Sequence, residues 1–305
     1  MRKAGVIGLG DMGSGLALNL IKNGFETCGH DLSAARMDAF RDFGGHPAAD
    51  AAAVGAAADV VFVMVMNGEQ VRGVVLGDGL ISTMRAGSVV VLTATIHPHE
   101  VPDIADGLAA SDILFVDSPV SGGYPGAQGG TLTMMASGSG EALDRARLAM
   151  EAVSRVIHRV GDTPGAGQTV KACLQSLIGG VFTATFEAAA LAAKAGVSGQ
   201  VAHDVFTTSS AGCGLVKASM ENIIDRRFER TGSHISTMHK DLTISLEMAR
   251  RLGVPLFTAS TAMQLFEAGR ARYPGGDNWV IARLMEEIAG AELHRDGGGD
   301  NDGEG

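Results

Sequence analysis

The sequence is short of positive charge, of cysteine and of long apolar runs, and each shortage closes off a set of functions. Lys and Arg together number 24 against 34 Asp and Glu, a formal net charge of −10 over 305 residues. A surface with that balance suits neither the phosphates of nucleic acid nor an anionic membrane. The densest basic group, Arg226, Arg227 and Arg230, is interleaved with Glu221, Asp225 and Glu229 and reads as a solvated helix face. Three cysteines, Cys28, Cys173 and Cys213, are odd in number and far apart, which fits neither a disulfide framework nor a zinc site. His203 and His234 lack metal-ligand spacing, so no metal is expected. A reducing cytoplasm is the expected compartment. No run is read as reaching the ~20 apolar residues of a membrane span, and the longest candidate, Val60 to Met66, has the length of a strand. The basic start, Met1-Arg2-Lys3, meets Gly5, Gly8, Gly10 and Asp11 instead of an apolar signal core, so export is not expected.

What is present is organised around nucleotide binding. The length suits two domains, and 46% hydrophobic with 19% charged residues suits a globular protein with a sizeable core. Lys3 to Gly8 reads as a buried strand. Gly8-Leu9-Gly10-Asp11-Met12-Gly13 then fits G-x-G-x-x-G, and a helical pattern follows with Met12, Leu16, Leu20 and Ile21 on one side. Phe25 to His30 is the next strand, and Asp31 stands at its end, 18 positions after Gly13. Strand, glycine triplet, helix, strand and acid in that order make a dinucleotide fingerprint. The glycines permit the tight turn and close backbone approach, and the helix N-terminus faces the pyrophosphate. Asp31 would accept hydrogen bonds from the adenosine ribose and repel a 2′-phosphate, which favours NAD over NADP. The other reading of Asp31 is a helix cap. Arg36 reads as surface.

Helical and strand patterns keep alternating: helix over 50–57, strand over 59–64, helix over 67–76, strand over 88–92, helix over 98–110 and strand over 113–116. That alternation predicts an α/β, doubly wound parallel sheet, with ligands at the carboxyl ends of its strands. Met66 and Asn67 after one strand, and Thr95 after another, fall at that edge; Met66 reads equally as core. Asp117-Ser118-Pro119-Val120-Ser121-Gly122-Gly123 follows a strand end, and its Ser-Gly-Gly can surround a carboxylate or form an ordinary turn. Two further strands, 131–136 and 155–160, with a helix over 141–152 between them, extend the sheet.

The second half reads as helical. Gln168 to Lys194 is one long helix, apolar over most of its circumference, with Lys171 and Gln175 four apart on one face. A buried lysine is paired or has a lowered pKa, and such lysines serve as general acids and bases. The bland reading is an exposed lysine in a first turn. Gly179-Gly180 implies a close helix contact or a bend. Helices are expected over 199–208, 213–221, 236–252, 256–272 and 277–290, with a polar loop at 209–214. His239 reads as surface or as second-rank support to Lys240, more than as a catalytic group. An apolar helical half of this kind implies a homodimer or homotetramer. The Gly- and Asp-rich end, residues 293–305, is expected to be disordered.

Four blocks in order give the chain a specific resemblance: GLGDMG (8–13), DSPVSGG with GGTLTMMASG (117–123 and 129–138), GAGQTVKACLQ (165–175) and MHKDL (238–242). From about residue 3 to about residue 289 it resembles the β-hydroxyacid dehydrogenase family, whose members include 3-hydroxyisobutyrate dehydrogenase, tartronate semialdehyde reductase and L-threonate dehydrogenase. The resemblance implies that Gly8 to Gly13 and Asp31 hold NAD and that Thr95 touches it. Ser121, Gly122 and Gly123 would bind the substrate carboxylate. Lys171 would be the catalytic acid/base, and Lys240 would lie near the nicotinamide, with Asp241 fixing it. One departure stands out: Leu174 occupies a position where the family often carries a polar amide, while Gln175 keeps its amide. The spacing is closest to the threonate-type branch.

The implied protein is an NAD-dependent oxidoreductase acting on a small three- or four-carbon hydroxy acid. Residues 1–163 would bind the cofactor, and residues 164–292 would form an all-helical substrate and oligomerisation domain joined to it by the long helix. The alternatives are an imine reductase on the same scaffold, against which Lys171 counts, and a non-catalytic dinucleotide-binding module.

Overall fold

The computed structural model describes residues 2–295, and they form two compact units that divide between Lys171 and Ala172. The first unit is built on strands β1 (Lys3–Ile7), β2 (Glu26–His30), β3 (His46–Pro47), β4 (Val60–Val63), β5 (Val89–Leu92), β6 (Leu114–Asp117), β7 (Val120–Ser121), β8 (Leu132–Ser137) and β9 (Ser154–Gly161). They form one sheet in the order β3-β2-β1-β4-β5-β6-β8-β7, with β9 paired to β8. From β3 to β6 every pairing is parallel. Beyond β6 the sheet departs from the all-parallel expectation: β8 runs antiparallel to β6 and β7 and parallel to β9.

The central strands are apolar at every position because helices cover both sheet faces. Along β4, Val60 and Phe62 enter one core while Val61 and Val63 enter the other. Val89 and Val91 alternate with Val90 and Leu92 in the same way along β5. The covering helices are α1 (Asp11–Lys22), α2 (Ala34–Asp42), α3 (Ala51–Ala57), α4 (Gly68–Val75), α5 (Val101–Ala109), α6 (Gly123–Gly129) and α7 (Gly140–Val153). The first core gathers Leu16, Leu20, Phe40 and Met150; the second gathers Val54, Val71, Leu80 and Ile104.

The second unit is all helix after α8 (Ala166–Lys194), which runs unbroken across the division: α9 (Gly199–Thr208), α10 (Gly214–Ile224), α11 (Ile235–Leu252), α12 (Phe257–Arg272) and α13 (Val280–Ala289). Its core is a ring cluster in which Phe182 contacts Phe186, Phe266 and Trp279. Gly179 marks a close helix contact: a β-carbon there would lie 2.7 Å from Leu242 Cδ2.

Three expectations need correction. The long helix is less buried than its composition implied, since Leu177 and Leu191 are 64% and 71% exposed. By length and composition this helix is also apolar enough to cross a membrane, contrary to the reading of the sequence, and less than half of its most apolar stretch is buried. Its many alanines raise mean hydropathy without drawing every face inward; the core helix of a globular protein passes the same test. Last, the end of the chain packs further than expected. Leu293 is buried and donates its N–H to Glu286 Oε1 at 2.9 Å, and Arg295 Nε donates to Asp225 Oδ1 at 2.6 Å. Residues 296–305 of the expected disordered tail lie outside the described residues.

Candidate active site

The glycine turn is shaped by backbone crowding. Gly8 has φ +87°, and a β-carbon there would lie 2.2 Å from Met64 O; one on Gly13 would lie 1.8 Å from Gly8 O. No larger residue fits at either position. At Gly10, the N-cap of α1, the nearest atoms to such a carbon are the Arg36 guanidinium at 3.7 Å, and no side chain caps the helix. The first-turn N–H groups of α1, with the positive end of the helix dipole, suit an anion.

Asp31 follows the end of β2. Its Oδ2 accepts Leu9 N–H at 2.8 Å and its Oδ1 accepts Ser33 N–H at 2.8 Å, so it ties the glycine turn to the sheet edge. Ser33, not Asp31, is the N-cap of α2. Oδ1 keeps a second lone pair for a ribose hydroxyl, while Oδ2 also faces the Arg36 guanidinium. Arg36 is half-exposed, but it is more than surface: its guanidinium lies 3.4 Å from Asp31 Oδ2 and over Gly10. Leu32 is 95% and Met66 55% exposed, so Met66 is not core. Both stand at carboxyl ends of strands, where an adenine or nicotinamide would cover them. Asn67 caps α4, accepting Gln70 N–H at 2.9 Å, and Gln70 Oε1 accepts Met66 N–H at 2.9 Å. Thr95, partly buried, follows β5. These features fit a dinucleotide.

Lys171 lies in the first two turns of α8, is 6% exposed and donates from Nζ to Val120 O at 2.8 Å. Val120 directly precedes Ser121, so this bond brings the amine to the Ser121-Gly122-Gly123 segment. Gly122 and Gly123 both take positive φ, +133° and +58°. Their segment is not only a turn. Gly123 opens α6, which the sequence hides in the loop-like Gly-Tyr-Pro-Gly-Ala-Gln-Gly. Packing supports that helix: Asn19 Nδ2 on α1 donates to Ala127 O at 2.8 Å.

In the helical unit Gln175, one turn after Lys171, donates from Nε2 to Asp241 Oδ2 at 2.6 Å. Its Oε1 is buried without a partner. Lys240 Nζ lies 3.0 Å from Asp241 Oδ1. His239, next in sequence, contacts Arg270 at 3.1 Å; burial and that neighbouring charge hold its pKa below the usual value.

Two functional candidates escaped the sequence reading although both stand in the family blocks. Asp117, at the end of β6, and Gln168, in the first turn of α8, are both buried and bonded to each other. Burial pushes the Asp117 carboxyl up to about 6, against the N–H donors of Gln168 and Gly165 that pull it down. Among the described residues no cluster of three or more His, Cys, Asp or Glu could hold a metal.

Known proteins fit this layout. Residues 3–161 match the model of the NAD binding domain of 6-phosphogluconate dehydrogenase. Residues 165–285 match the NAD-binding model of NADP-dependent 3-hydroxyisobutyrate dehydrogenase. The chain is 35% identical to an L-threonate dehydrogenase of Escherichia coli K12 over 93% of this chain and 95% of that one. It is 32% identical to an NAD-dependent L-serine dehydrogenase of Pseudomonas aeruginosa over 95% of this chain and 100% of that one. A crystal structure of 3-hydroxyisobutyrate dehydrogenase from Salmonella typhimurium superposes with a TM-score of 0.86 at 34% identity, covering 93% of this chain and all of the other. Imine reductases, such as one from Pseudomonas sp. at 20% identity and a TM-score of 0.63, share the fold alone.

Proposed function

The chain belongs to the β-hydroxyacid dehydrogenase family, and from that premise we propose that it oxidises the alcohol carbon of a small hydroxy acid with NAD, using Lys171 as general base. The observation that carries this is the buried Lys171 amine, tied to Val120 O beside Ser121. Removing an ammonium from water disfavours its charged form, which is the direction a base requires. Neutral Lys171 accepts the substrate hydroxyl proton; protonated Lys171 polarises and protonates the carbonyl in reverse. Ser121 and the N–H groups of Gly122 and Gly123, turned by their positive φ, hold the substrate carboxylate.

The cofactor is held by Gly8, Leu9, Gly10, Asp11, Met12 and Gly13 at its pyrophosphate and by Asp31 at its adenosine ribose. Met66, Asn67, Thr95 and Lys240 contact the remainder. When bound, the nicotinamide would supply the hydride acceptor. The Asp31 carboxylate favours NAD over NADP.

Gln175 refines the substrate class. Its buried Oε1 needs a donor, and a buried acceptor left unpaired is costly by about 1–3 kcal/mol. A second hydroxyl on the substrate supplies that donor and an alkyl branch does not, so a polyhydroxy, threonate-type acid is favoured over a 3-hydroxyisobutyrate-type one. Imine reduction has only the shared fold in its favour.

Residues 1–163 act as the cofactor domain and 164–292 as the substrate and oligomerisation domain of a cytoplasmic homodimer or homotetramer. The test is turnover against a panel of three- and four-carbon hydroxy acids with NAD and with NADP, for wild type and Lys171→Ala. Turnover should fall at least ~100-fold in the variant while NAD binding persists. Near-normal turnover in Lys171→Ala would refute the base.

A further inference from the structure

The Lys171 amine is useful only if it stands at the right distance from the cofactor, and one buried pair fixes both sides of that distance. Asp117 Oδ2 accepts Gly165 N–H at 3.1 Å and Gln168 N–H at 3.2 Å, while its Oδ1 accepts Gln168 Nε2 at 2.9 Å. The first turn of α8 is thereby clamped to the end of β6. The same Gln168 amide reaches the loop after β5: Nε2 also donates to Ala94 O at 3.0 Å, and Oε1 accepts Ile96 N–H at 3.1 Å. Gln168 thus grips the backbone immediately before and after Thr95. Three residues further along α8 is Lys171; three residues past Asp117 is Val120, which holds the Lys171 amine.

We propose that Asp117 and Gln168 are positioning residues, which lock the Thr95 segment and Lys171 into one frame so that base and cofactor meet at a fixed spacing. The proposal rests on the reading of Lys171 as base and Thr95 as a cofactor contact. A carboxylate with no exposure is an expensive way to begin a helix, since removing it from water carries a large penalty; Ser198, by contrast, caps α9 with a hydroxyl. The return on that penalty is rigidity. Displacing a reactive group by about 1 Å lowers rates by roughly 100-fold.

The experiment swaps the two ends of the bond. Gln168→Glu sets two carboxylates against each other, and Asp117→Asn sets two amides donor to donor. The double variant Asp117→Asn with Gln168→Glu restores the bond between the two side chains with its polarity reversed, Asn Nδ2 donating to the Glu carboxylate, while Ala94 O alone stays without its donor. The readouts are kcat and KM at a temperature well below unfolding, with folding checked by circular dichroism. Each single variant should lose kcat by roughly 10- to 100-fold, and the double variant should regain at least ~10-fold over the slower single, the non-additivity of a direct contact. The proposal is overturned if either single variant keeps wild-type kcat, or if the double variant is as slow as the product of the singles. Should the charged pair prevent folding, Gln168→Met removes the side-chain bonds without adding charge, and wild-type kcat there overturns the proposal equally. Lys171→Ala separates the two ideas. Inactive Lys171→Ala beside fully active Gln168 variants removes only this inference, whereas an active Lys171→Ala removes the base itself.

Discussion

The sheet unit and the helical unit treat their buried polar groups in opposite ways. In the sheet unit Asp117 and Gln168 are bonded through both carboxylate oxygens, the amide nitrogen and the amide oxygen. Among the described residues, Gln175 Oε1, Thr183 Oγ1, His203 Nε2 and Asn278 Oδ1 of the helical unit are buried without hydrogen-bond partners, as is Ser118 Oγ of the sheet unit. Exposed apolar side chains divide in the same sense. Among the described residues of the sheet unit those exposed by more than half are Leu32 and Met66, both at the expected cofactor edge, while the helical unit shows Leu177, Leu191, Leu252, Phe257 and Ile288 on several helices. The first unit is finished by its own residues except where a cofactor belongs. The second leaves buried acceptors unpartnered and apolar side chains exposed on several helices.

The largest expected effect tests whether the two units are separate structures at all. Phe186 is fully buried in the helical core and Phe62 in the sheet. Truncating either to Ala should destabilise its own unit by about 3–5 kcal/mol. In calorimetry Phe186→Ala should lower one transition and Phe62→Ala the other. A single transition lowered equally by both would erase the distinction.

Next comes pH. The Asp117 carboxyl is raised from 3.8 to about 6 by burial, so the folded state binds its proton more tightly than the unfolded chain. The stability this group contributes is fully present below about 3.8 and is lost as pH rises through about 6. The 2.2-unit difference, 6 minus 3.8, corresponds to about 3 kcal/mol at about 1.36 kcal/mol per unit. Between pH 4 and pH 7 wild type should therefore lose up to that amount relative to Asp117→Asn, whose constant loss of bonds cancels in the pH difference. Urea midpoints across that range check it, and a flat difference would mean the carboxyl is not desolvated. Activity should move the other way. A proton on Asp117 weakens the carboxyl as acceptor of the Gly165 and Gln168 N–H groups, so the frame around Lys171 loosens as pH falls below about 6.

How much of this was legible depends on whether a feature is local. The runs at 60–63 and 89–92, the glycine triplet and Asp31 carry their meaning within a few residues, and the structure adds only their neighbours. The five helices after α8 announced themselves by apolar spacing, within a few residues at each end. Helix α6 did not, because three glycines and a proline outweigh seven residues of local propensity until Asn19 and Gly15 of α1 pack against it. The Asp117–Gln168 frame joins residues 94–96, 117 and 165–168, and no spacing along the chain indicates that meeting. Nor could composition say which face of α8 stays bare, since Ala, Val and Leu are distributed around it.

A smaller effect probes the unfinished acceptor of the helical unit. Gln175→Leu removes both the unpartnered Oε1 and the bond to Asp241. It should reduce the preference for a polyhydroxy acid over its alkyl analogue by roughly 10- to 100-fold in kcat/KM, the usual value of a lost polar contact in a buried site. Because Asp241 then loses a donor, Gln175→Glu serves as the control: it keeps an acceptor but sets it against the Asp241 carboxylate, and both substrates should suffer. A preference unchanged in Gln175→Leu would mean that the open acceptor is satisfied by something other than substrate.

The smallest effect on activity, and the sharpest on assembly, is expected from Leu177 and Leu191. They lie 14 residues apart on α8, close to four helical turns, so their exposed side chains share one face. Exposed positions of a monomer tolerate such changes within about 0.5 kcal/mol. Burying two leucines against a second copy is instead worth about 1.5–3 kcal/mol for each side chain, and symmetry doubles the count in an isologous dimer. Replacing both with Gln should therefore leave the sheet unit's cofactor binding and the per-subunit turnover within about twofold, while light scattering shows the assembly dissociating at lower concentration. If the variant keeps wild-type mass and stability, this face is ordinary surface, and the contrast between a finished and an unfinished unit narrows to the acceptor at Gln175.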